Sequence, residues 1–94
     1  MDKRIGTITV LIADRSRSAE INNIISEFSD IILCRQGLPF HDRSIAVISL
    51  IVEGSPDRIN ALTGRLGRME GVEAKSVLTK SVGETLDAKT AIRI

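Results

Sequence analysis

Residues 35–54 read RQGLPFHDRSIAVISLIVEG, and the second half of that stretch decides the fold. From Ile45 to Val52 every residue except Ser49 is aliphatic. The run is far short of the roughly 20 apolar residues that cross a bilayer, yet it is rich enough in β-branched side chains for a strand covered on both faces. Alternation along it sends Ile45, Val47 and Ile51 to one side and Ile48, Leu50 and Val52 to the other. It is therefore the central strand of a sheet. Just before it, Gly37 and Pro39 mark a loop, QGLPFHDR, that follows a short β-branched segment, Ile31 to Arg35. A connection this short holds no crossover helix, so the two strands form an antiparallel hairpin.

Upstream, Ile5 to Ala13 alternates Ile8, Val10 and Ile12 against Thr7, Thr9 and Leu11, the pattern of a first strand. In the following ADRSRSAE, Asp14, Ser16 or Ser18 serves as a helix cap, with Glu20 in the favourable first turn. Ile21, Ile24, Ile25 and Phe28 then recur at helical spacing, which predicts a helix ending near Ser29. Downstream, Ser55-Pro56-Asp57 combines a capping hydroxyl, a proline at the first helical position and a first-turn carboxylate. Ile59, Leu62, Leu66 and Met69 give this second helix its buried stripe. Gly64 interrupts it at a cost of roughly 1 kcal/mol relative to Ala, for which close packing is the ordinary reason and ligand approach the functional one. Gly67 and Gly71 end the helix, and Val72 to Leu78 alternates as a fourth strand whose polar face suits a sheet edge.

The order β-α-β-β-α-β defines an α+β, ferredoxin-like sandwich: a four-stranded antiparallel sheet with both helices on one face and the first and third strands in the middle. Two helices cover only one face. The apolar residues of the central strand on the other face call for a cover, and a second copy of the chain is the simplest one. A homo-oligomer, dimer or tetramer, is expected, with Ile45, Val47 and Ile51 in its interface. The domain takes residues 1–80, and residues 81–94 are expected to form a short terminal helix, an oligomerisation arm or a flexible extension.

Composition narrows the function. The formal charge is +1 and the aromatic residues are Phe28 and Phe40 alone, so the basic surplus and the stacking platform of nucleic-acid binders are both missing. With one cysteine, Cys34, and no long apolar segment at the N-terminus, a reduced cytoplasmic protein without a membrane span is expected. No paired carboxylates, nucleophile triad or phosphate loop occurs, so neither an enzyme nor a cofactor is expected.

The segments GLPFHDRSIAVISLIVEG and INALTGRLGRMEGVEAKSVLTK resemble the iron-only hydrogenase system regulator family, small proteins with an ACT-like, ferredoxin-like fold related to the ligand-binding half of the nickel-responsive regulator. The resemblance spans about Ile5 to Lys80, and its most specific pieces are Arg35, Gly37, Leu38 and Pro39 before the central strand and the run Asn60 to Gly67, with Thr63 and Gly64, on the second helix. It implies a regulatory, effector-sensing module that works as an oligomer and acts through a partner protein. It also implies a pocket at a subunit interface, lined by the turn at Asp14, the 35–43 loop and the glycine-containing face of the second helix. The first strand begins at about Ile5, so the ribbon-helix-helix segment of nickel-responsive regulators, and direct nucleic-acid binding with it, is not expected.

Two residue sets carry alternatives. Cys34 and His41 are the soft ligands available for a metal shared between subunits; the ordinary reading makes Cys34 a buried small hydrophobe and His41 an exposed loop residue. Arg15, Arg17 and Arg58 stand near helix starts, where they either bind an anionic effector or simply solubilise the surface. A docking module without any effector is the competing function.

Overall fold

The computed structural model describes residues 2–81. Four strands, β1 (Arg4–Ile12), β2 (Ile32–Pro39), β3 (Ala46–Gly54) and β4 (Val72–Ser81), form one antiparallel sheet in the order β2-β3-β1-β4. Helices α1 (Ser18–Glu27) and α2 (Pro56–Gly67) connect β1 to β2 and β3 to β4. This is the β-α-β-β-α-β sandwich expected, with β1 and β3 in the centre. Between its layers lies an all-apolar core: Ile8, Val10 and Ile12 of β1 and Ile48, Leu50 and Val52 of β3 meet Ile21, Ile25 and Phe28 from one helix segment and Ile59, Leu62 and Leu66 from the other. No polar side chain is buried among the described residues.

Local chemistry explains the helix starts. The Ser55 hydroxyl accepts from the Arg58 N–H at 3.2 Å, with Pro56 in the first turn. Asp14 caps a 3₁₀ turn, Arg15–Arg17, by accepting from the Ser16 N–H at 2.9 Å, and that turn leads into α1. Beyond α1, Arg58 ties the helices together: it reaches the Asp30 carboxylate at 2.7 Å and the Glu27 carbonyl at 3.2 Å while lying 4.3 Å over the Phe28 ring.

Three boundaries differ from the sequence reading. The second strand does not stop at Arg35 but continues through Gly37, Leu38 and Pro39, so the turn of the hairpin is residues 40–45. Proline is tolerated there because β2 is an edge strand, where a missing N–H breaks no ladder. Ile45 precedes β3, and its carbonyl accepts from the Phe40 N–H at 3.0 Å to close the turn. The fourth strand runs on to Ser81, and its pairing with β1 slips between Arg4 and Gly6, leaving one extra residue on β4. Residues 82–94, and the expectations for them, lie outside the described residues.

Candidate functional site

Cross-strand pairing assembles the open face of the sheet. One row joins Leu38, Val47 and Leu11; another joins Cys34, Ile51, Thr7 and Val77; between them run Gln36, Ser49, Thr9 and Lys75. Leu11 is 38% exposed, Ile51 40%, Leu38 59% and Val77 68%. These side chains sit on neighbouring strands, so they form one apolar surface with a polar stripe through it. Of the expected interface residues, Val47 and Ile51 lie on this face, whereas Ile45 lies beside it in the turn.

The second feature is a cleft of about 290 Å³ on the helix side of the sheet, between the start of α1 and the far end of the β2–β3 hairpin. Ile12, Ile21 and Ile48 from the core, with Pro39 and Ala46, give it an apolar floor; the exposed Arg15, Ser18, Asn22 and Arg35 stand round its rim. Arg15, Ser18 and Asn22 recur at helical spacing, so the turn and α1 present them together. Gly37 lines the cleft from β2, and a Cβ added there would meet nothing within 4 Å.

The candidate ligand residues separate accordingly. Arg35, Gly37, Leu38 and Pro39 line the cleft. Asp14 is not among its lining residues; its carboxylate is engaged by the Ser16 N–H and hydroxyl, which, with Arg17, hold it below the usual carboxylate range. Thr63 and Gly64 are not among the lining residues, because α2 packs chiefly on β4, the edge of the sheet opposite β2. Thr63 Oγ1 donates to the Ile59 carbonyl at 2.9 Å within its own helix. Cys34 is exposed on the sheet face, not buried as the ordinary reading had it. His41 sits in the turn, and the extended strand between them, at about 3.3 Å per residue, keeps the two well apart within one chain. Among the described residues no group of three or more His, Cys, Asp or Glu comes together as metal ligands do.

Ion pairing sorts the arginines, partly by local spacing and partly across the fold. Arg17 meets Glu20 at 2.9 Å and Glu70 at 3.6 Å, Arg58 meets Asp30, and Arg65 meets Glu27. Arg4 and Arg43 pair with Asp2 and Asp42. Among the described residues neither Arg15 nor Arg35, the two arginines of the cleft, has a carboxylate partner. Sequence reasoning missed Ser18 and Asn22; the signal was a polar stripe next to the apolar stripe of α1.

Sheet order, helix placement and open face define an ACT-like, ferredoxin-like α+β domain. The chain belongs to the TM1266-like family, described as "Iron-only hydrogenase system regulator, putative", whose model matches residues 4–76. It is similar to the uncharacterized protein TM1266 from Thermotoga maritima, with 35% identity, a TM-score of 0.78, and coverage of 84% of this chain and 100% of that one. Two more distant structures share the fold. A "putative glycine cleavage system transcriptional repressor" aligns at 17% identity and TM-score 0.63, over 83% of this chain and 47% of that one. The C-terminal domain of the MgtC protein from Mycobacterium tuberculosis aligns at 10% identity and TM-score 0.64, over 82% and 88%. The search of curated proteins returned no match. The family is thus described by a regulatory role and not by a reaction. Among the described residues no helix is long and apolar enough to cross a membrane.

Proposed function

We propose that this chain is a regulatory module that works as a homo-oligomer, joined through the open sheet face, and that senses a small effector on behalf of an iron-only hydrogenase system. The observation that carries the reading is the apolar face itself. Leu11, Leu38, Ile51 and Val77 stand well exposed on adjacent strands of a small domain whose other face carries both helices and the core. Such a surface is costly to leave in water, and an isologous pair of sheets covers it with itself. Support for the sensing half is the cleft, where the first strand–helix turn and the 35–39 segment come together. The hydrogenase setting follows from the family's description.

Native mass spectrometry of the purified protein, repeated after denaturation, tests this reading. A native mass equal to a whole number of chains, two or more, plus a small molecule released on denaturing is the expected result. A bare monomer at micromolar concentration would overturn the oligomer and favour a docking module that places its sheet face on a different protein.

A further inference from the structure

The cleft brings together two arginines that have no carboxylate partner among the described residues. Arg17, Arg58 and Arg65 are each neutralised by a carboxylate. Arg35 has a neutral partner instead: its Nη2 donates to Asn22 Oδ1 at 3.0 Å. That bond orients the guanidinium without cancelling its charge, and leaves most of its five N–H donors available. Arg15 stands on the same rim, and no carboxylate is among the residues lining the cleft. Below the two cations lies an aliphatic floor formed by Ile12, Ile21 and Ile48.

We propose that the cleft binds a small organic anion, with a carboxylate or phosphate held between Arg15 and Arg35 and a short aliphatic body on the floor. The planar fork of an arginine matches either head group through paired N–H donors. The Asn22 amide, whose Oδ1 is taken by Arg35, keeps its N–H donors to add a neutral hydrogen bond, whereas the Ser18 hydroxyl already donates to the Arg15 carbonyl at 2.7 Å and lines the rim without a free donor. A cleft of about 290 Å³ fits a metabolite-sized body. This inference rests on the effector-sensing reading and narrows it to a chemical class and a pair of residues.

The test is an amide-resolved NMR titration of the full chain, in its native assembly, with isovalerate, isoamyl phosphate and the neutral isovaleramide. The expected result is that at least one of the anions perturbs the amides of Ser18, Asn22 and Gly37, the tighter anion naming the head group. Isovaleramide is expected to bind at least about tenfold more weakly. Arg15→Gln and Arg35→Gln are each expected to weaken the anion by about tenfold or more, and Arg35→Lys to fall between, since it keeps the charge and loses the fork. Arg68→Gln, which removes an arginine that is not among the residues lining the cleft, is expected to leave binding unchanged, and the dispersion of each spectrum shows that the variant is folded. Equal binding of the amide, full binding by both glutamine variants, or anion shifts that fall outside the cleft or are absent would overturn the proposal. None of these results alters the mass of the assembly, so the oligomeric regulator stands or falls separately.

Discussion

Replacing Gly6 by alanine is expected to damage the sheet, whereas the same change at Gly37 is expected to be harmless. Gly6 lies in β1 opposite Val52 of β3 and Leu78 of β4, next to the point where β4 carries its extra residue. A Cβ on Gly6 would come within 2.7 Å of the Val77 carbonyl oxygen and 2.9 Å of Leu78 Cδ2. The oxygen belongs to the backbone of an edge strand held to β1 by its ladder, so it cannot rotate away, and β4 has to shift. Overpacking of this kind costs about 1–3 kcal/mol. In a domain of this size each kcal/mol moves the melting temperature by roughly 4–8 °C, so Gly6→Ala should lower Tm by roughly 5–20 °C. At Gly37 an alanine meets no atom within 4 Å. It also restricts the unfolded chain, so a Tm equal to the parent's or slightly above it is expected. Thermal unfolding followed by circular dichroism at one fixed protein concentration measures both, since an assembly melts in a concentration-dependent way. Equal Tm values for the two variants would refute the close approach of β4 to β1 at Gly6.

Other outcomes follow from the helix caps, the ion pairs and the turn before β4. Ser55→Ala removes the acceptor of the Arg58 N–H at the start of α2 and should cost about 0.5–2 kcal/mol in a urea titration, with the m-value unchanged. Arg58 holds the Asp30 carboxyl below its usual range, and Arg65 does the same for Glu27. Because these folded-state values lie below the unfolded ones, the stabilisation is complete above the ordinary carboxylate range near pH ~4 and is lost as pH falls from there through the lowered folded-state values. The double variant Asp30→Asn/Glu27→Gln should therefore show a shallower acid decline of Tm than the parent, and an unchanged decline would refute the assignment. Gly71 has φ +79, a conformation that costs an L-residue about 1–2 kcal/mol, so Gly71→Ala should lower stability by about that amount in the same urea titration.

Most of the architecture was legible because its signals are local. The apolar run before Gly54, the alternation in β1 and the Ser55-Pro56-Asp57 cap each declare an element within a few residues. The extent of β2 was not legible, because Gly37 and Pro39 read as loop residues and their tolerance depends on β2 being an edge, a property of the sheet order. Thr63 and Gly64 drop out of the cleft for the same kind of reason: α2 covers the β4 side, and only the tertiary arrangement separates it from β2. The arginines show the limit most clearly. Glu20 stands three residues beyond Arg17, a pairing the sequence can offer, but that Arg17 also finds Glu70 and that Arg15 keeps no carboxylate among the described residues are settled only across the fold.

Sedimentation equilibrium of the parent chain and of Ile51→Lys tests the central claim, that the open sheet face joins copies of this chain. Ile51 is 40% exposed at the middle of that face, so a lysine there is tolerated by the free domain but places two charges in a two-fold interface. The expected result is a parent mass of two or more chains at micromolar concentration and a folded, monomeric Ile51→Lys variant. A monomeric parent, or a variant that assembles as tightly as the parent, would contradict it.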